Sequence, residues 1–63
     1  MRDPKRIGPM VELFEKLWEK YPDMRFGQMV SFVYSEASLK FRRDPFYIEE
    51  PDWKEFLLEM IGE

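Results

Sequence analysis

Ile7-Gly8-Pro9-Met10-Val11-Glu12-Leu13-Phe14-Glu15-Lys16-Leu17-Trp18-Glu19-Lys20-Tyr21 decides the fold. Its apolar residues Ile7, Met10, Val11, Phe14, Leu17, Trp18 and Tyr21 recur in steps of three and four, the spacing of one face of an α-helix. Just upstream, Asp3-Pro4 reads as a helix start. An Asp side chain accepts from an unpaired backbone N–H there, and a proline at the first helical position gives up no hydrogen bond. Gly8-Pro9 interrupts the first turns, because Pro9 has no N–H to donate and disfavours helical geometry at Gly8. The expectation is a kink, or a short N-terminal turn followed by a helix from Pro9 to about Lys20.

Downstream, Tyr21-Pro22-Asp23 ends this helix and begins a second, with Asp23 as the N-cap and Phe26, Met29, Val30, Val33 and Ala37 as the buried stripe. So short a connection makes the two helices pack as a hairpin or cross steeply, as in a helix-turn-helix. Gly27 costs a helix about 1 kcal/mol relative to Ala, which implies either a close helix approach or tolerance near a helix end. Residues 38 to 50 carry no sustained stripe. Asp44-Pro45 before Phe46-Tyr47-Ile48 reads as a turn into an extended segment, whose alternation sends Phe46 and Ile48 one way and Tyr47 the other. Glu50-Pro51-Asp52 then starts a third helix with Trp53, Phe56, Leu57, Met60 and Ile61 on its apolar face and Gly62 at its end. The expected fold is all-α, a compact three-helix domain over residues 1-63. Its helices lie near 4–20, 23–38 and 51–61, with a partly extended loop between the second and third.

Sixty-three residues make one domain, and a chain of this size buries only about 60% of the surface its unfolded form exposes. Its 37% charged and 44% hydrophobic composition is that of a folding globular chain. With no Cys and no His it forms no disulfide and no Cys/His zinc site, and it lacks the thiol and Ser-His nucleophiles and the commonest general base. The expectation is a protein without catalytic activity or cofactor. Glu12, Glu15, Lys16 and Glu19 break up any signal-peptide-like apolar run. The longest uncharged stretch, Phe26 to Ser35, is ten residues long and too short to cross a bilayer. No membrane role is expected, and a cytoplasmic setting, in a bacterium or a phage-infected host, fits a cysteine-free chain.

Charge is divided along the chain. Residues 1 to 43 hold nine basic and six acidic side chains, +3, whereas residues 44 to 63 hold seven acids and Lys54, −6, for the net −3. The acidic third helix should therefore dock near the basic ends of the first two, each exposed pair contributing little.

Eleven aromatic residues are more than so small a core encloses. Either the large rings make a mini-core self-sufficient, or some stay exposed for another copy or another protein to cover. Phe32 and Tyr34 fall off the second helix's stripe, and Tyr47 and Phe46 lie in the segment without one. These four are the candidate interface for a homo-oligomer or a protein partner. The alternative is a helix-turn-helix-like nucleic-acid-binding regulator. It would use Arg25 and Gln28 at the start of the second helix and Lys40, Arg42 and Arg43 around Phe41 at its end. Net acidity opposes that alternative, and cations at a helix C-terminus also answer its dipole. Asp44, Glu49, Glu50 and Asp52 do not have the spacing of a calcium loop, so no metal is expected.

Four stretches, Arg2-Asp3-Pro4-Lys5-Arg6-Ile7, Leu17-Trp18, Pro22-Asp23-Met24-Arg25-Phe26-Gly27-Gln28 and Asp44-Pro45-Phe46-Tyr47-Ile48-Glu49, together resemble a family of small uncharacterised proteins of bacteria and their phages. The resemblance covers most of the chain and implies a bacterial or phage cytoplasmic setting. It carries over no catalytic residue, since the family has no assigned activity. Phe32 stands where relatives often carry an Asn, so no polar role is implied there. In such a setting, an inhibitor occupying a site on a host protein, a nucleic-acid groove included, is a further alternative by analogy.

Overall fold

The computed structural model describes residues 2–62, which form three α-helices and no strand among the described residues: α1 (Ile7–Glu19), α2 (Phe26–Phe41) and α3 (Glu50–Ile61). Two 3-10 turns, Pro4–Arg6 and Pro45–Tyr47, lead into α1 and connect α2 to α3. The all-α three-helix domain expected from the apolar stripes is the observed one.

Asp3-Pro4 and Asp44-Pro45 build the same local device. Each Asp is extended, its Oδ1 accepts the N–H two residues on (Lys5, 2.9 Å; Phe46, 3.0 Å), and the following proline sits at the first position of a 3-10 turn. The proline fixes φ and lacks only an N–H that has no partner there. After the first turn the chain continues into α1 with no break at Gly8-Pro9, because Pro9 lies in the helix's first turn, where N–H groups have no intrahelical acceptor. Of the two expected arrangements, the short N-terminal turn followed by a helix is the observed one, with the α-helix beginning at Ile7, two residues before the expected Pro9.

α2 begins at Phe26 rather than at Asp23. Asp23 lies in the turn, and the extended Arg25 is the N-cap, its backbone N–H bonded to Gln28 Oε1 at 2.7 Å. This is the half of a capping box that an arginine can form, since a guanidinium has no acceptor. The turn itself is pinned by Trp18, whose indole N–H donates to the Met24 carbonyl at 2.8 Å. α2 also runs three residues past the expected 38, to Phe41, and stops where Arg42 adopts the left-handed conformation (φ 53°). A non-glycine residue there costs about 1 to 2 kcal/mol. Gly62 closes α3 with φ 88°, where glycine pays no such cost. Gly27 faces open space, with nothing within 4 Å of where a Cβ would stand. It marks tolerance near a helix end, and the close helix approach is excluded.

The segment between α2 and α3 is extended at Asp44 and Ile48 but tight between them. The expected alternation of Phe46 and Ile48 against Tyr47 does not occur. In the 3-10 turn Phe46 and Tyr47 both face solvent, 77% and 69% exposed, while Ile48 is buried.

Leu17 from α1, Met29, Val33 and Ala37 from α2, Ile48, and Phe56, Leu57 and Ile61 from α3 form the core. Leu17 and Met29 are completely enclosed, each burial contributing about 1.5 to 3 kcal/mol. α1 makes its close backbone approach to α3, and large rings fill the wider gaps to α2. Phe14 and Trp18 meet Phe26 at 6.1 and 5.7 Å, Tyr21 meets Phe32 at 5.7 Å, and Phe41 meets Phe56 at 6.0 Å.

The charge division is expressed as contact. Arg2 pairs with Glu49 (3.3 Å) and Glu50 (3.5 Å), Arg6 with Glu50 (2.6 Å), Arg43 with Asp52 (3.5 Å) and Lys40 with Glu59. Lys20 Nζ also donates to the Ile61 carbonyl at the end of α3, where the helix dipole favours a cation. Every one of these ion pairs joins a cation from residues 2–43 to an acid from residues 44–62, so they select where α3 docks more than they strengthen the fold.

Candidate functional site

α1 and α2 are joined by aromatic contacts near their shared turn and lie apart further along. Where Phe14, Trp18 and Tyr21 reach across to Phe26 and Phe32 the gap is filled. Beyond them, a groove of about 530 Å³ opens between the helices, within the size range of binding clefts. Its floor is the outer surface of the core, Val33, Ile48 and Leu57, with half-buried Trp53 beside it. Its walls are Ile7 (51% exposed) and Val11 (59%) on α1, Val30 (42%) and Tyr34 (45%) on α2, and Phe46 on the second 3-10 turn. Arg2, Arg6 and Glu50 close one end, their charges already paired with one another.

One hydrogen-bonded clip holds the Phe46 wall in place. The Tyr34 hydroxyl donates to Asp44 Oδ1 at 2.7 Å, and the same oxygen accepts the Phe46 N–H. The backbone bond from Phe46, then the bond from Tyr34, hold the Asp44 carboxyl below the usual carboxylate range. The Tyr34 phenol is pushed above its ordinary value, chiefly because its proton is committed to that carboxylate and a second negative charge beside it is disfavoured. The clip fastens α2 to the turn that carries Phe46, and Phe46 stands edge-on to Tyr47 with centroids 5.1 Å apart. The apolar wall therefore continues outward onto Tyr47.

Of the four expected interface residues, Tyr34 and Phe46 line the groove and Tyr47 adjoins it, whereas Phe32 does not belong to it. At 3.6 residues per turn, Phe32 lies on the opposite side of α2 from both Val30 and Tyr34. There it is half-buried against Tyr21 and the core, not exposed as expected. Ile7, Val11 and Val30 are groove walls that the stripe pattern placed in the core. The stripe carried no signal for their exposure, since Ile7, Met10, Val11 and Phe14 span about 100°, the ordinary width of a core-facing stripe.

The residues of the nucleic-acid alternative fall into two groups, Arg25 and Gln28 at the start of α2 and Lys40, Arg42 and Arg43 at its end. Arg25 and Arg42 flank α2 at opposite ends, about 25 Å apart at 1.5 Å per residue. Gln28 is engaged at the helix start, and Lys40 and Arg43 face Glu59 and Asp52. Of the acids considered for a cation, Asp44 is held by Tyr34, and Glu49, Glu50 and Asp52 by arginines. No group of three His, Cys, Asp or Glu is placed to hold a metal among the described residues. No helix of the structure is long and apolar enough to cross a membrane. Chemically, the groove offers apolar walls and one hydroxyl–carboxylate clip, an arrangement suited to receiving apolar side chains.

Comparison with family models, curated proteins and solved structures returns no match for this chain.

Proposed function

We propose that this chain is a small, non-enzymatic protein-binding module of a bacterium or its phage, acting in the cytoplasm and using the α1–α2 groove as its contact surface. One observation carries the reading. Ile7, Val11, Val30, Tyr34 and Phe46 are 42–77% exposed side by side on the walls of one groove, although a chain this small needs every apolar side chain it can bury. Contiguous apolar surface of that kind marks interaction sites, and aromatic side chains are the usual anchors of interfaces. The pairing of Lys40 and Arg43 with carboxylates and the net charge of −3 favour this reading over the nucleic-acid one.

The test is capture of proteins by the immobilised full chain, with variants on and off the groove. Val11→Asp and Phe46→Ser on the groove should abolish capture. Leu39→Ser should not, since Leu39 is 73% exposed on α2 but does not line the groove. Capture that survives both groove substitutions would reject the assignment.

A further inference from the structure

We infer that the groove's occupant is a second copy of this chain, in a two-fold dimer where Phe46 of each copy enters the groove of the other. The inference rests on the groove being the contact surface and names its partner. Three observations support it.

The first is that knob and hole lie side by side on one protomer. Phe46 is the most exposed of the large apolar residues. It stands on the groove's rim, fixed by the Asp44 clip, and the groove beside it is roomier than a single ring requires. A two-fold interface needs this self-complementarity, because the patch that donates a side chain must also receive its equivalent.

The second is area. Ile7, Val11, Val30, Tyr34, Phe46 and Tyr47 are 42–77% exposed. At roughly 200 Å² for each free aromatic ring and roughly 90 Å² for each aliphatic side chain, the six offer about 500 Å². That is about two thirds of the roughly 800 Å² per partner of a standard-size interface, the range of the smaller protein–protein contacts. A second copy brings an equal area of the same chemistry, so the two faces are matched in extent.

The third is charge. The patch centre carries no ionised side chain apart from Asp44, whose carboxylate is already engaged by Tyr34 and the Phe46 N–H. The cations at its end are neutralised within the protomer by Glu49 and Glu50. Two such faces bring one like charge each to the contact, the Asp44 carboxylate, and each copy carries −3 overall. Depletion of charge from the centre is the compositional mark of an interface core.

Sedimentation of the full chain over a wide concentration range tests this, with circular dichroism confirming that each variant is folded. The wild-type chain should sediment as a dimer of the 7.8 kDa protomer. Phe46→Ser removes the ring from both copies and should raise the dimer dissociation constant about 700-fold, the effect of losing two hot-spot anchors. Val11→Asp, on a different element, should do the same, so a folding defect in either variant does not remove the test. An equimolar mixture of the two variants should regain part of the association, because one of the two ring-in-groove contacts is then intact. Three outcomes overturn the inference: a wild-type monomer at every concentration, a dimer that persists in both variants, or no recovery in the mixture. A wild-type monomer that still captures other proteins in a groove-dependent way would reject the second copy while sparing the binding-module reading. Groove-independent capture would reject both.

Discussion

Leu17→Ala measures how far the fold depends on one side chain. Leu17 is the only α1 residue completely enclosed, and it sits in the core shared by α2 and α3. The substitution removes three carbons from a dry site, worth about 2.4 kcal/mol at ~0.8 kcal/mol per buried methylene. A residual cavity of roughly 50 Å³ adds about 1.2 kcal/mol at ~24 cal/mol per Å³. The resulting loss of about 3.5 kcal/mol compares with a total stability of about 3 to 9 kcal/mol for a domain of this length. With a slope of about 1 kcal/mol per molar urea, the unfolding midpoint should fall by about 3 M, or the variant should be unfolded without denaturant. Lys16→Ala on the same helix is the internal control. Lys16 is exposed and does not line the groove, so its truncation should cost no more than about 0.5 kcal/mol. Equal shifts for the two variants would show that α1 does not dock through Leu17, and the groove built on that docking would fall with it.

Two further outcomes follow from single contacts. Asp44→Ala removes the acceptor of the Tyr34 hydroxyl and the Phe46 N–H, so an NMR-followed titration of Tyr34 should show its raised midpoint return to about 10. The pair also fixes the sign of the pH dependence. The depressed Asp44 contributes above the ordinary carboxylate pKa and its contribution is lost as pH falls through its folded value. The raised Tyr34 contributes below about 10 and its contribution is lost as pH rises through its folded value. A wild-type stability profile matching that of Asp44→Ala at both extremes would refute the clip. Gly27→Ala should stabilise the protein by about 0.5 kcal/mol, since the new methyl meets nothing within 4 Å and the helix start gains a better former; a lower thermal midpoint would refute this.

The helices were legible because periodicity and Pro-containing start signals act locally. The apolar faces of α2 and α3 supplied Met29, Val33, Ala37, Phe56, Leu57 and Ile61 to the core as their spacing indicated, whereas Phe26 and Val30 of the expected α2 stripe are 61% and 42% exposed. Two errors have local causes as well. Asp23 has the chemistry of an N-cap, but Gln28 reaching back to Arg25 offered a competing start two residues later, and sequence alone does not rank the two. Asp44-Pro45 repeats the turn made by Asp3-Pro4, but the aromatic and β-branched residues after it favoured reading an extended segment with alternating faces. The candidate site was only half legible, because exposure of Ile7, Val11 and Val30 depends on how far α2 stands from α1. A stripe states which face of a helix is apolar and leaves open how much of that face a neighbour covers.

What sets that distance is the charge division acting on a small set of large rings. Arg2 and Arg6 precede or begin α1 and bind Glu49 and Glu50 at the start of α3, while Lys20 after α1 meets the end of α3. α3 is thus tied along the length of α1, and the close backbone approach of this fold is between these two helices. α2 is tied to α3 only from its C-terminal end, through Lys40 and, just past it, Arg43. No ion pair joins α2 to α1 among the described residues, so their separation is left to Phe26 and Phe32, which act as spacers near the turn. Leu17 joins α1 to the core that α2 supplies with Met29, Val33 and Ala37, and the groove opens where the aromatic contacts end. Every ion pair of the described residues runs to α3 or the residue before it, so the flank between α1 and α2 is the one that carries none, although each such pair contributes little to stability.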